Sequence, residues 1–248
     1  VDPECTPDSA LGAWLNAPPW RRADKVQPPR TRVIDLAASE DELRAAMKKK
    51  HRQYVAKAER EGIGVERFDG SGATDGIAEA LADFNRIYRL TADRAGFAAR
   101  VPAYYERVWH ALAPSGHARL SFATRDGERL AVLFHFTCGG RAVESYGGMT
   151  DAGAESRANY LLKWDAIRTF RGEGFATYDL WGLATGGIAK FKEGFGGREV
   201  EYVGAREVGL RAPVDAVVRV AVPAYAAAQR ARLRLLGRGA RQAAAEAG

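Results

Sequence analysis

One stretch of this 248-residue chain concentrates aromatic, acidic and basic side chains among glycines. It runs from Tyr178 to Gly197 and contains Asp179, Phe191 and Lys192. Glycine costs roughly 0.5–1 kcal/mol relative to alanine in regular structure, so this density is expected where the backbone must approach a ligand or a neighbouring strand closely. The ordinary alternative is a strand, a short helix and a hairpin whose aromatic residues belong to the core.

Basic residues form two further groups that are suited to binding anions. The first is Lys48–Arg52, which reads Lys-Lys-Lys-His-Arg, and the second lies in residues 206–248. The second group contains eight arginines and three acidic residues, so it contributes five positive charges to the chain's net charge of +6. Such clusters attract phosphates, nucleic acid or an anionic membrane surface. The alternative for either group is a solvated helix face.

Hydrophobic periodicity and turn residues predict the elements that position these groups. Apolar residues at three- and four-residue spacings indicate helices, and Ser39 and Glu42 form a capping box. The predicted helices cover residues 8–16, 39–61, 77–93, 101–112, 158–171 and 188–193. The predicted strands cover residues 31–36, 63–68, 118–124, 129–137, 141–146, 175–181 and 199–205. Because Asp126-Gly127 and Gly139-Gly140 join three strands into an antiparallel meander, we predict an α+β fold with a mixed, mainly antiparallel central sheet flanked by helices.

Composition is typical of a globular protein in a reducing, cytoplasmic setting. Hydrophobic residues make up 46% of the sequence, and no apolar run reaches the roughly 18 residues that a membrane span needs. The given N-terminus has no basic region followed by an apolar region, so we expect no secretory signal. Neither the two cysteines, Cys5 and Cys138, nor the four histidines have a metal-ligand spacing. The chain begins with Val1, and the predicted strand at 31–36 has no partner earlier in the sequence. We therefore expect a processed chain or a part of a longer one.

Several motifs, in the same order along the chain, resemble the FemABX family, whose members have the acyltransferase fold of the GNAT superfamily. The motifs are Gln27–Thr31, Lys48–Tyr54 with Ala58–Gly62, Arg94–Phe97 with Tyr104-Tyr105, Tyr146-Gly147, Leu161–Trp164, Tyr178–Gly182 and Phe191–Gly197. The resemblance implies a GNAT-like domain. Since the family usually has two such halves, we predict that residues 1–38 are the closing strand of a first domain, 39–210 a second domain and 211–248 a basic helical tail.

The resemblance implies transfer of an amino acid from aminoacyl-tRNA to the stem peptide of a peptidoglycan precursor, as in interpeptide bridge formation. An ester donor is already activated, so no metal or redox cofactor is implied, and catalysis rests on positioning and on stabilising a developing oxyanion. The expected partners are aminoacyl-tRNA and either UDP-MurNAc-pentapeptide or a lipid-linked precursor. The expected location is the cytoplasm, including the inner face of the membrane.

The resemblance also implies roles for individual residues. The Lys192 ammonium would hold the terminal phosphate of the tRNA or the developing negative charge, and Phe191 would position the same end by packing. Arg100 and Tyr104, four residues apart at a helix entry, and Tyr146 would bind the nucleotide-linked precursor. The alternatives are a solvated lysine, a surface arginine and core tyrosines.

Three further candidates complete the predicted site. Asp179 would act as a base for the attacking amine, although an acid at a strand end is as often a structural acceptor. Lys50 and Arg52 would face phosphates of the precursor or of the tRNA. Arginines in residues 206–248 would bind the tRNA backbone or form a membrane-surface helix, and the sequence does not choose between these.

Two other functions compete with aminoacyl transfer. The first is a GNAT-type acyltransferase that uses acyl-CoA, but residues 147–158 lack the spacing of a pyrophosphate-binding loop. The second is a non-catalytic module that binds tRNA or other nucleic acid, which the basic residues in 206–248 favour.

Overall fold

The computed structural model describes residues 1–24, 27–70, 76–183 and 187–209, together with separate positions between 213 and 228. The helices with defined bounds are α1 (Ala10–Asn16), α2 (Glu40–Ala46), α3 (Lys49–Arg60), α4 (Ile77–Ala95), α5 (Pro102–Leu112), α6 (Asp151–Glu155), α7 (Ala158–Gly172) and α8 (Gly187–Glu193). The strands are β1 (Arg21–Arg22), β2 (Arg30–Asp35), β3 (Gly64–Phe68), β4 (Ala118–Arg125), β5 (Glu128–Cys138), β6 (Arg141–Met149), β7 (Thr177–Asp179), β8 (Arg198–Glu201) and β9 (Arg206–Glu207).

Seven of these strands form one sheet in the order β3-β4-β5-β6-β7-β2-β8. The pairing of β6 with β7 is parallel, and the other pairings within this sheet are antiparallel. A separate two-stranded sheet joins β1 to β9. The predicted fold class, a mixed and mainly antiparallel sheet flanked by helices, is confirmed.

The two turns of the β4–β5–β6 meander depend on backbone conformations that the sequence permits. Asp126 and Gly127 have φ angles of 52° and 81°, and Gly139 and Gly140 have φ angles of 56° and 76°. Left-handed backbone at both central positions matches the twist of a hairpin, and glycine and aspartate are among the few residues that adopt it readily. These two dipeptides therefore fix the register of the three longest strands.

The sheet lies between two hydrophobic cores. Val132 and Phe134 of β5 pack into a core with α4 and α5, whereas Ala131 and Leu133 face a core with α2, α3 and α7. This alternation is the two-residue period of a strand buried on both faces. The helices cover the sheet because each carries an apolar stripe, as in α4, where Phe84 is fully buried.

The single helix predicted for residues 39–61 is wrong, because the structure has two helices with a break at Met47. The capping box of Ser39 and Glu42 starts α2 as predicted, but Met47 has an extended backbone and is buried in the core. The Lys48 N–H donates to the Gly194 carbonyl at 2.9 Å, and the Arg52 guanidinium donates to carbonyls at the end of α2. The break is thus held by contacts that are distant in sequence.

The strand near residue 31, which was assigned to a first domain, lies in the same sheet as the strands that follow it. The strand β2 lies inside the sheet, hydrogen-bonded to β7 on one side and to β8 on the other. Its Ile34 is 2% exposed and belongs to the core. The proposed division of the chain at residue 38 stays a prediction, but β2 is part of the same sheet as the strands that follow it.

Arg206 is buried and packs the N-terminal segment against the rest of the molecule. Its guanidinium donates to the Leu15 carbonyl at 3.1 Å and to Asn16 Oδ1 at 2.5 Å. The first of the eight arginines in residues 206–248 therefore contributes to packing and not to a basic surface. The other seven lie outside the described residues, as do residues 71–75 and 184–186 of the predicted loops.

Candidate active site

A cleft opens where β6 and β7 diverge. These parallel strands pair only between Arg141–Val143 and Thr177–Asp179. Beyond this point β6 continues to Met149, whereas the chain leaves β7 and returns as α8. The resulting cleft has a volume of about 460 Å³. It lies between α8, the start of α7 and the part of β6 that does not pair with β7. Both Phe191 and Lys192 line it, together with Tyr146.

A β-bulge in β6 gives the cleft two chemically different walls. Glu144 pairs with His135 and Tyr146 pairs with Phe134, so Ser145 between them has no opposite residue. Glu144 and Tyr146, which a regular strand would place on one face, consequently lie on opposite faces. Glu144 faces α7, whereas Tyr146 packs among the aromatic residues of α4 and α5.

Lys192 is held at one wall of the cleft by the backbone of the segment after β7. Its Nζ donates to the carbonyl of Trp181 and, at 2.8 Å, to that of Gly182. Trp181 and Gly182 have positive φ angles of 47° and 58°. Burial lowers the pKa of the Lys192 amine to about 8, although the nearby carboxylate of Glu144 opposes this effect. The amine is therefore mainly an ammonium at neutral pH.

Phe191 fixes α8 against the neighbouring helices. Its ring lies 4.9 Å from that of Tyr160 and 5.3 Å from that of Phe195 between ring centroids. Its carbonyl oxygen accepts a hydrogen bond from His51 Nε2 at 3.0 Å. The structure thus brings Phe191 and Lys192 into the cleft as one unit.

Asp179 occupies a position that does not favour the predicted role as a base. Its carboxylate is fully buried and accepts hydrogen bonds from Thr31 Oγ1 at 2.5 Å and from the Trp181 N–H at 2.6 Å. Arg141 forms an ion pair with its second oxygen. The geometry fits the alternative of a structural acceptor, which ties β2, β6 and the turn before α8 together.

The three residues predicted to bind the precursor form a contiguous group. The Arg100 guanidinium lies 4.8 Å from the ring centroid of Tyr104. Burial raises the pKa of the Tyr146 hydroxyl, and its hydrogen bond with Tyr104 acts in the same direction. Tyr146 lines the cleft, whereas Arg100 is exposed just before α5. An anionic ligand that contacts Arg100 would therefore extend toward the cleft along the tyrosines.

The basic group Lys48–Arg52 does not form a single phosphate-binding surface. Lys48 pairs with Glu193 at 2.9 Å, His51 is buried, and Arg52 is committed to the carbonyls of α2. The predicted role of Arg52 toward phosphates is therefore not supported. Lys50 is exposed, with Nζ 5.6 Å from the centroid of the Tyr54 ring, and stays a candidate for contact with substrate.

Two charged residues of the cleft were missed by the sequence analysis. Lys163 of α7 and Glu144 of β6 are 2% and 7% exposed, and Nζ of the lysine contacts both carboxylate oxygens. Tyr178 donates to Glu144 at 2.7 Å. Burial raises the pKa of the Glu144 carboxyl, but the positive charges of Lys163 and Lys192, together with the hydrogen bond from Lys163, outweigh this effect and keep the pKa below its ordinary value. One signal was available: Lys163 interrupts the apolar run Leu161–Trp164.

The histidines are structural wherever the structure gives them contacts. His51 and His135 are buried, and His117 Nδ1 lies 2.9 Å from the Thr137 carbonyl oxygen. Within the described ranges, no group of three potential ligands among histidine, cysteine, aspartate and glutamate is placed to hold a metal ion.

Comparison with known proteins gives results that agree with this geometry. Residues 45–193 match the acetyltransferase (GNAT) domain family. The lipid II:glycine glycyltransferase of Staphylococcus aureus is 30% identical over 103 residues, which is 42% of this chain and 23% of that protein. The chain thus matches less than a quarter of the length of this curated relative.

Solved structures show the same fold. The crystal structure of FemX superposes with a TM-score of 0.75 at 19% identity, covering 88% of this chain and 73% of that chain. The C-terminal domain of a putative lysylphosphatidylglycerol synthetase from Agrobacterium fabrum gives a TM-score of 0.53 at 16% identity, covering 81% and 65%. The resemblance to GNAT-like FemABX proteins that the motifs predicted is confirmed.

Proposed function

The chain belongs to the acetyltransferase (GNAT) domain family, and from this premise we propose that it transfers an aminoacyl group from aminoacyl-tRNA to an amine of a peptidoglycan precursor. One observation carries the proposal: the cleft between β6 and β7 has the Lys192 ammonium on one wall and Tyr146 on the other, and Tyr146 is hydrogen-bonded to Tyr104, whose ring the Arg100 guanidinium covers. The glycyltransferase among its relatives and the likeness to FemX support this choice of reaction.

The reaction needs positioning and charge stabilisation from the protein. The nitrogen of the acceptor amine attacks the ester carbonyl of the donor, and a C–N bond forms as the C–O bond to the ribose breaks. The amine loses a proton, and the departing ribose oxygen takes one. Lys192 is suited to stabilise the negative charge on the carbonyl oxygen or to bind the terminal phosphate, because its ammonium is partly buried where electrostatic interactions are strong.

The acceptor would enter from the side of Arg100, Tyr104 and Tyr146. The guanidinium is suited to a phosphate of a nucleotide-linked or lipid-linked precursor, and the tyrosines would orient the adjoining sugar. Lys50 is a further candidate for phosphate contact. In the described part of the chain, every helix is too short or too polar to cross a membrane. We propose a location in the cytoplasm, with peripheral contact where the acceptor is lipid-linked.

A transfer assay tests this proposal. The protein is incubated with Gly-, Ala- or Ser-tRNA and UDP-MurNAc-pentapeptide, or with the lipid-linked precursor in detergent, and the acceptor mass is measured. We expect a gain of one amino acid residue. The variant Lys192→Ala should lower the rate by about 100-fold or more, as loss of one oxyanion-stabilising group does. Lys190→Ala is the matched control, since Lys190 is an exposed lysine on the same helix.

The outcomes separate the competing functions. If neither acceptor gains mass but acetyl-CoA acylates an amine, the chain is an acyl-CoA-dependent acyltransferase. If uncharged tRNA binds without transfer and Lys192→Ala binds equally well, the chain is a nucleic-acid-binding module. Equal rates for Lys192→Ala and Lys190→Ala would remove Lys192 from the mechanism.

A further inference from the structure

The ion pair between Glu144 and Lys163 is unusual because it is buried and yet borders the cleft. Replacing a buried ion pair by apolar residues of similar size is often neutral or stabilising, so the pair does not by itself explain stability. Its position beside Lys192 suggests that its charges act on the cleft.

We propose that this ion pair sets the charge state of the cleft. Glu144 is the counter-charge that keeps the Lys192 amine in its ammonium form. Lys163 orients the Glu144 carboxylate and weakens the effect of its charge on Lys192. All three side chains line the same cleft. Glu144 and Lys163 are positioning residues in this assignment, since they act through Lys192. Their role in transfer rests on the proposed function, whereas the coupling of charges is a property of the free protein.

The hydrogen bonds of Glu144 favour a fixed charge over a proton shuttle. Lys163 contacts both of its oxygens, and Tyr178 donates to one of them. Tyr178 is itself held by His135 Nε2 at 2.8 Å. Three charge-stabilising contacts keep the carboxylate ionised and immobile beside the lysine ammonium. Lys163 is further fixed by the rings of Phe191 and Phe195, whose centroids lie 5.3 Å and 5.7 Å from its Nζ.

The other charged groups near Lys192 are already engaged or face elsewhere. Asp179 of β7 is neutralised by Arg141. His51 of α3 contacts the Phe191 carbonyl. On α8 itself, Lys190 is exposed and Glu193 pairs with Lys48. Arg157, which also lines the cleft, donates to the Ala154 carbonyl and lies with its guanidinium 4.7 Å from the centroid of the Tyr54 ring. Among the described residues that line the cleft, Glu144 and Lys163 thus form the buried ion pair.

The test measures Lys192 directly by NMR in protein labelled with ¹³Cε-lysine. The Lys192 signal is assigned by its absence in Lys192→Arg, and its titration midpoint is followed with pH. Glu144→Gln should lower the midpoint by about one pH unit, and Lys163→Met should raise it by a similar amount. Glu193→Gln is the matched control: it removes a carboxylate from α8 that faces Lys48, and the midpoint should not move.

If charge coupling is present, the Lys192 titration midpoint moves in opposite directions in Glu144→Gln and Lys163→Met. A purely structural role would lower the stability of both variants without such opposite movements of the midpoint. A folded Glu144→Gln protein with an unchanged midpoint overturns the proposal, as does a displacement of the same sign in both variants. Lys163→Gln, which retains a donor for Glu144, replaces Lys163→Met if the latter does not fold.

The transfer assay then separates this inference from the proposed function. If the protein transfers amino acids, the alkaline limb of its pH–rate profile should move to lower pH in Glu144→Gln by the same amount as the NMR midpoint. If the midpoints move as expected but no transfer occurs with any donor, the charge coupling stands and the proposed function fails.

Discussion

At the scale of residues, a buried chain of hydrogen bonds leads from His135 to Lys163. The Tyr178 hydroxyl donates a hydrogen bond to Glu144, so His135 Nε2 must donate a hydrogen bond to the Tyr178 oxygen. In the neutral imidazole, His135 Nδ1 then carries no proton, and within the described residues this nitrogen has no hydrogen-bond partner. Burial lowers the pKa of His135 to about 4, so this imidazole is neutral in the folded protein at neutral pH.

The neutral state of His135 predicts a pH dependence of stability. The unfolded chain binds a proton at this histidine below about pH 6.5, and the folded protein only below about pH 4. Between these values the unfolded state binds more protons, so stability falls as the pH falls. From pH 7 to pH 5 we expect a loss of about 2 kcal/mol from His135 in the free energy of unfolding.

Urea denaturation at the two pH values measures this loss. His135→Gln keeps a donor toward Tyr178 but cannot titrate, so it should remove most of the difference between pH 7 and pH 5. His110→Gln is the matched control, because His110 is exposed on α5. A His135→Gln protein that loses as much stability as the parent would show that another group carries the pH dependence.

At the scale of elements, the sequence predicted those features that depend on neighbours in the chain. The Asp126-Gly127 and Gly139-Gly140 turns define the meander, and the Ser39 capping box starts α2, because turn and cap chemistry acts over a few residues. The break between α2 and α3 was not predictable. It depends on the Gly194 carbonyl, which is far along the chain.

The same distinction holds for the candidate site. The motif Phe191-Lys192 and the pair Arg100 and Tyr104 could be proposed as candidates because they are local patterns. Glu144 and Lys163 were missed because neither side chain has a reason for burial until β6 and α7 are packed together, and the bulge at Ser145 that turns Glu144 toward α7 leaves no sequence signal.

The docking of α8 on α3 predicts that replacing Gly194 destabilises the protein. A Cβ atom at this position would overlap the His51 imidazole. That ring is enclosed by Tyr160, Phe191 and Phe195, with ring centroids 4.9, 5.9 and 5.0 Å away, so it has little room to move. Gly194→Ala should lower the free energy of unfolding by about 1–3 kcal/mol, the usual cost of overpacking.

Thermal or urea unfolding measures this effect against two matched variants. Gly187→Ala places the same methyl group at the start of α8, where a Cβ meets nothing within 4 Å among the described residues, and should change stability by less than about 0.5 kcal/mol. His51→Ala combined with Gly194→Ala should cost less than the sum of the two single changes, because the overlap is absent. Strict additivity would contradict the proposed contact.

At the scale of the whole molecule, the segment before residue 39 is a structural part of the sheet. The strand β2 lies between β7 and β8, and Thr31, on the same strand, donates to the buried carboxylate of Asp179. This places β2 next to the strand from which the chain turns toward Lys192. The segment therefore supports the cleft as well as the core.

We predict that residues 39–248 do not fold without residues 1–38. Loss of residues 1–38 would expose hydrogen-bonding edges on both β7 and β8 and would empty the core positions of Ile34 and Leu36, which are 2% and 3% exposed. Expressed alone, residues 39–248 should aggregate or lack a cooperative unfolding transition.

Co-expression of residues 1–38 as a separate chain should restore a soluble complex, because strand pairing and side-chain burial do not require the covalent link. The matched control is the same segment with Ile34→Asp, which places a charge in the core and should fail to restore the complex. Residues 39–248 that unfold at the same temperature as the full chain would contradict a central role for β2 and would make the chain divisible at residue 38.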